Sequence, residues 1–194
     1  MIRARRPPRE RVTGPIWGLD LGRLTGWAHG PPGEIPTSGT WKLKESSAPQ
    51  DEAFATLIDN TQGAWKEKKP AMVAVEAPLT LAAMFKKNNS EDGVLMAFGL
   101  RAIIRGMCWR WNIKFVEVNN ATSRKHFIGV GRVGERQLTK DAVVRRAQLL
   151  KLVPADCDDE DRCDALCIHD WAAATYGQRA ASINELHLFE DNRR

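Results

Sequence analysis

No stretch of this chain approaches the ~18 consecutive apolar residues that a membrane-spanning helix needs. Its apolar runs, such as Met72 to Val75 or Leu79 to Met84, are far shorter. The arginine-rich start, Met1 to Arg11, has no apolar stretch behind it of the kind a secretory leader carries. The expectation is a soluble, cytoplasmic protein. Cysteine and histidine are scarce, at four each. A chain of 194 residues with 43% hydrophobic content can bury a core without disulfide staples, so Cys108, Cys157, Cys163 and Cys167 are expected to be reduced thiols. Cys157, Cys163, Cys167 and His169 lie close in sequence, but their spacing fits no familiar zinc knuckle. Cys163 and Cys167 are one helical turn apart, where a small apolar residue suits a core. No internal repeat is present, and one domain with short tails is the default for this length.

What the chain does have is charge segregated along its length. The net charge is only +5, yet twelve basic residues against three acidic ones fall between Arg101 and Lys151. From Asp156 to Asp170 the balance reverses, with seven acids against Arg162 alone. A basic surface suits a polyanion. Beside a carboxylate cluster it also calls for a divalent cation, because phosphate and carboxylate otherwise repel. The plain alternative is a solvated basic face next to an acidic helix start.

Met1 to Gly14 reads as a disordered basic arm, with Pro7, Pro8 and Gly14 and almost nothing to bury. Structure is expected from Pro15. Ile16 to Leu21, Leu24 to His29 and Thr37 to Leu43 read as three strands of an antiparallel meander, with Gly22, Gly30, Pro31, Pro32 and Gly33 supplying the turns. After a polar loop, Ser46 to Gln50, the positions Phe54, Leu57, Ile58 and Trp65 share one helical face. Met72 to Glu76 is then a fourth strand reached by a βαβ crossover.

Val94 to Trp111 is apolar on more than half its circumference and is expected to be a largely buried helix. A strand, Lys114 to Val118, and a short helix, Ala121 to Ile128, follow. A glycine-punctuated loop from Gly129 to Gly134 leads to an amphipathic helix, Gln137 to Leu150. A helix from Asp158 to Tyr176 closes the domain, with acids in its first turns where the macrodipole favours them. Strands first in a meander, then β and α alternating, give an α/β domain with a mixed sheet.

Four acids stand out. Asp20 ends the first strand, between Leu19 and Leu21, and Glu76 ends the fourth in Val73-Ala-Val-Glu76. A carboxylate in an apolar strand is costly unless it meets a cation or several donors. Asp161 and Asp164, three residues apart on a helix, share a face. Hard cations such as Mg²⁺ take oxygen ligands, and a two-ion site needs several carboxylates to hold and bridge the ions. One ion would activate a water and the other would stabilise the leaving oxygen of a phosphodiester.

These residues resemble the motifs of the RuvC family of Holliday junction resolvases, particularly its divergent phage-type members. Gly18-Leu-Asp20-Leu-Gly22-Arg-Leu-Thr25-Gly26-Trp27 is similar to the family's first strand and turn, and Val75-Glu76 to its second acidic motif. Asp161-Arg-Cys-Asp164-Ala165-Leu166 is similar to its C-terminal helix. Gly129-Val-Gly131, followed by Gln137 and Lys140, is similar to its glycine loop and basic DNA-binding helix. The likeness runs from about Ile16 to Trp171.

The resemblance implies an RNase H-like α/β fold over residues 15–178, with a mixed five-stranded sheet flanked by helices and a C-terminal tail at 179–194. It implies a homodimer using Mg²⁺ or Mn²⁺, two ions per site, to nick opposed strands of branched DNA. Asp20, Glu76, Asp161 and Asp164 would be the catalytic and metal-binding acids, and Arg124, Lys125, Arg132, Arg136 and Lys140 the DNA-binding residues. A bacterial cell, with phage or prophage origin, is the implied setting. Two departures are visible. The first turn is about one residue shorter than in bacterial enzymes. Where many members carry a junction-stacking aromatic shortly after the second acid, this chain has Leu79, with Phe85 further on.

Three other readings compete. Asp-x-Gly before Thr-Gly also opens actin-like ATPases, but those need two lobes and this chain has room for one. A non-catalytic DNA-binding protein of the same fold would be expected to have lost an acid, and all four are present. A nuclease of the same fold acting on flaps or RNA–DNA hybrids would use the same metal site.

Overall fold

The computed structural model describes residues 11–77 and 91–177. Leu79 and Phe85, and the chain before Arg11 and after Gly177, lie outside the described residues. The strands are β1 (Ile16–Asp20), β2 (Leu24–Gly30), β3 (Thr37–Lys42), β4 (Met72–Glu76) and β5 (Lys114–Val118). The helices are α1 (Gln50–Glu67), α2 (Glu91–Arg110), α3 (Asn120–Ile128), α4 (Arg136–Leu149) and α5 (Glu160–Tyr176). The sheet order is β3-β2-β1-β4-β5. The first three strands form the expected antiparallel meander, while β4 pairs parallel with both β1 and β5. This is the mixed five-stranded sheet the sequence pattern predicts.

Strand alternation divides the sheet into two faces. Trp17, Leu19, Val73 and Val75 point to one, where they pack with Leu57 and Trp65 of α1 and with Leu100, Ile104 and Met107 of α2. Ile16, Met72 and Ala74 point to the other, against Ile168, Ala172 and Ala173 of α5. Beyond α5 a further layer joins Phe127 of α3 and Val143 and Ala147 of α4 to Cys163, Leu166 and Cys167. Helix α5 is therefore enclosed between sheet and helices, and every residue from Cys163 to Asp170 is buried. Burial pushes the Cys163 thiol up to about 12, so it behaves as a small apolar residue.

Two glycines set how closely α5 lies on the sheet. A Cβ on Gly18 would stand 2.6 Å from the Ala165 carbonyl oxygen and 2.6 Å from the His169 amide nitrogen. On Gly26 it would stand 1.8 Å from the carbonyl oxygen of Asp161. Gly26 is the antiparallel partner of Asp20. The helix start that carries Asp161 thus rests on the strand directly beside Asp20. The same end is fastened to β3: Thr40 Oγ1 donates to both carboxylate oxygens of Asp159, at 2.9 and 2.8 Å, and Arg162 Nε donates to Ser38 Oγ at 2.8 Å. Asp159 also caps α5 by accepting from the Arg162 amide at 2.9 Å.

Two expectations need correction. Helix α2 is not largely buried: only Leu100, Ile104, Met107 and Cys108 are, and Leu95 and Trp109 are 56% and 87% exposed. A helix lying on one side of a sheet buries one stripe, so its remaining apolar residues face outward. Structure also begins before Pro15. The Val12 amide donates to the Tyr176 carbonyl at 2.8 Å, and Arg11 Nη1 to that of Gly177 at 2.7 Å. No described helix is long and apolar enough to cross a membrane.

Candidate metal and nucleic-acid site

The sheet register brings the two strand-end acids together. In the parallel pair, Leu19 lies beside Val75, so Asp20 and Glu76 are each one residue further along neighbouring strands. Both continue the alternation of Ile16, Met72 and Ala74, which faces α5. Asp161 and Asp164 enter from the first turns of that helix. The electrostatics record the result. Burial holds the Asp20 carboxyl well above the usual carboxylate range, and Asp164, Glu76 and Asp161 each push it higher, with Lys140 opposing. Burial also raises Asp161, where Lys140 opposes and Asp159, Asp164 and Glu160 reinforce.

Each of the other acids has a partner. Asn120 Nδ2, in the first turn of α3, donates to Glu76 Oε1 at 2.9 Å. Arg124 Nη2, one turn later, lies 3.1 and 3.0 Å from the two carboxylate oxygens of Asp164. Lys140 of α4 pairs with Glu160, which also accepts from Gln137 Nε2 at 2.7 Å. These contacts hold the Glu160 carboxyl below its ordinary range.

The donor set suits a hard divalent cation: oxygen ligands only, drawn from sheet and helix, with a carboxyl whose neighbours repel its charge. The side chains as they stand do not form a ligand cage, and no group of three or more His, Cys, Asp or Glu among the described residues stands in a metal-holding arrangement. Asn120 engages Glu76 and Arg124 engages Asp164 in this arrangement. The cysteine and histidine quartet is likewise not assembled as a zinc site: His169 is buried and its Nε2 lies 3.2 Å from the Gly30 carbonyl.

The five expected DNA-binding residues divide. Lys125 and Arg136 are exposed on α3 and α4. Arg132 is exposed in the loop between them, with its Nε donating to the Gly134 carbonyl at 2.7 Å. Gly134 there, with φ +56°, and Gly129 at the end of α3, with φ +83°, occupy the left-handed region that favours glycine. Arg124 and Lys140 instead turn inward to the acids. Sequence reasoning missed Asn120, Glu160 and the spacing role of Gly26. The only local signal among them was the Asn119-Asn120 pair after β5, where Asn119 caps α3 by accepting from the Ala121 amide at 2.9 Å.

The sequence matches no protein-family model and no curated protein. Solved structures do match. Thermus thermophilus RuvC is similar at 12% identity and TM-score 0.60, over 80% of this chain and 90% of that one. T. thermophilus RuvC in complex with a Holliday junction substrate is similar at 12% identity and TM-score 0.62, over 87% and 98%. The yeast mitochondrial Holliday junction resolvase is similar at 11% identity and TM-score 0.57, over 97% and 86%. With the sheet order and flanking helices already described, these likenesses show that the chain has the RuvC-like form of the RNase H-like α/β fold.

Proposed function

We propose that this protein is a divalent-metal-dependent, structure-selective endonuclease that nicks opposed strands of Holliday junctions or related branched DNA. The observation that carries the reading is the placement of four carboxylates, Asp20, Glu76, Asp161 and Asp164, at one end of the central parallel strands, close enough that three of them push the fourth upward. Mg²⁺ or Mn²⁺ held there, as two ions, would supply Lewis-acid activation of a water and stabilisation of the leaving oxygen. The chain's own residues do the rest. Asp20 and Glu76 present oxygens from the rigid sheet, and Asp161 and Asp164 present theirs from a helix that Gly18 and Gly26 allow to sit close. Lys125, Arg132 and Arg136 offer exposed cations to phosphates, which position the backbone without reading its sequence.

Opposed nicks require two sites related by a two-fold axis, so the working unit is a homodimer. The exposed apolar side of α2, with Leu95 and Trp109, supports that face as the contact. A phage or prophage origin in a bacterial host, suggested by the motif resemblance, belongs to the same proposal.

The test is cleavage of end-labelled four-way junction, flap and RNA–DNA hybrid substrates, with and without Mg²⁺. Paired nicks on the junction are expected, and hybrid or flap cutting in their place would reassign the substrate. Asp20→Asn is expected to lower cleavage by at least ~100-fold, no less than the loss of a single positioned transition-state donor costs, with junction binding retained. Cutting at the wild-type rate by that variant would remove the carboxylate mechanism.

A further inference from the structure

Arg124 occupies an unusual position for a residue of a basic DNA-facing helix. Its guanidinium is turned in toward Asp164, with only 14% of its side chain and 11% of the aspartate's exposed. The contact is made through Nη2 alone, which lies almost equally far from the two carboxylate oxygens, at 3.1 and 3.0 Å. Nε is buried and makes no hydrogen bond among the described residues. A guanidinium carries five donors in a planar fork that suits two-point contact with phosphate or carboxylate. Its present pose satisfies that fork poorly. Asp164 cannot follow it elsewhere, because it is carried on the enclosed part of α5. Lys125, the next residue, is exposed. A phosphate backbone held by Lys125 lies along the same helix, and Arg124 meets it only by turning outward from Asp164.

We infer that Arg124 is a charge latch on the metal site: without DNA its guanidinium neutralises Asp164 in competition with a divalent cation, and a DNA phosphate that takes up Arg124 releases Asp164 to the metal. The inference rests on the reading of the four acids as a metal site. Linkage makes the effect reciprocal, so metal strengthens junction binding by the same factor by which the junction strengthens metal binding. The acids are then fully available only when a phosphate backbone is in place. Arg124 is in this sense a positioning residue, acting on the site through Asp164.

The experiment measures Mn²⁺ binding calorimetrically to the full chain without DNA, for wild type, Arg124→Gln and Arg124→Lys. Junction affinity is then measured by fluorescence anisotropy in EDTA and in Ca²⁺. Arg124→Gln is expected to bind Mn²⁺ about 5-fold or more tightly than wild type, the lower end of ordinary coupling between sites, while Arg124→Lys stays near wild type. Ca²⁺ is expected to tighten junction binding by wild type by a similar factor and by Arg124→Gln hardly at all. A thermal melt of each variant checks that it is folded, and Arg124→Ala serves as a second neutral variant if Arg124→Gln is not. If wild type binds Mn²⁺ and the neutral variant binds it equally or more weakly, the latch is overturned, because Arg124 and metal then share Asp164 without competing. If neither wild type nor the neutral variant binds Mn²⁺, the metal-site reading itself falls.

Discussion

Individual side chains in this protein set opposing pH dependences on the two faces of the sheet. On the face away from the acids, His29 of β2 lies 5.0 Å from the Trp17 ring, in a group with Trp27 and Trp41. Burial, then Lys68, then His169, lower its pKa from 6.5 to about 4. Buried His169 is lowered too, chiefly by desolvation. As pH falls below 6.5 the unfolded chain takes up protons that folded His29 refuses until about pH 4, so stability is present above 6.5 and is lost through that window. Asp20 acts with the opposite sign, since its raised carboxyl accepts a proton more readily in the folded state and acid relieves its repulsion. His29→Phe, which keeps a ring beside Trp17, is expected to flatten part of the fall in urea midpoint between pH 7 and pH 4.5. An unchanged slope would show that His29 titrates normally. The variant leaves the carboxylate face untouched.

At the scale of elements, the seating of α5 on β1 and β2 decides whether the carboxylates meet. Gly26→Ala places a methyl 1.8 Å from a helix carbonyl that has no flexible end to give way. Overpacking of a core generally costs ~1–3 kcal/mol, and backbone contact this close belongs at or above the top of that range. For a domain of this size ~3 kcal/mol is a fall in melting temperature of roughly 6–12 °C. Cleavage should fall with it, since Asp161 must move. Gly18→Ala should behave similarly, with two backbone atoms at 2.6 Å. Gly63 and Gly106, within α1 and α2, have nothing within 4 Å of an added Cβ, and alanine there should stabilise by ~0.5–1 kcal/mol. Melting curves of the four variants check the contrast. A tolerant Gly26→Ala, melting like wild type and cutting normally, would mean that α5 does not need this close seat.

Among the described residues, the outward side of α2 and the basic residues Lys125, Arg132 and Arg136 are exposed. A tryptophan 87% exposed on α2 is a poor surface residue for a monomer, and it supports the proposed two-fold pairing of this helix. Trp109→Glu should convert a dimer to a monomer in multi-angle light scattering at micromolar concentration. The variant should still fold, because the side chain contributes almost nothing to the core, but its melting temperature should drop and lose its dependence on protein concentration as the partner is lost. Paired nicking of a junction should give way to single nicks. A wild-type chain that is monomeric both free and with junction DNA would remove this surface from the assembly.

Much of this organisation was legible in the sequence because it depends on local periodicity. The meander strands, the glycine turns, the fourth strand ending in Glu76 and the Asp161–Asp164 face all follow from residues a few positions apart, and so did the mixed sheet. The four acids stood out as carboxylates set into or beside apolar segments, and their role as metal ligands rests with the proposed function. What the sequence could not declare were contacts between distant segments. Asn120 reaches Glu76 across 44 residues and Arg124 reaches Asp164 across 40. Neither spacing has a local signature; both exist because the strand order puts β4 between β1 and β5 and delivers α3 to the start of α5. The outward half of α2 is a decision of the same kind. Its composition predicted burial, but only one stripe of a helix can face a single sheet, and the tertiary structure chose which apolar residues that stripe would leave in water.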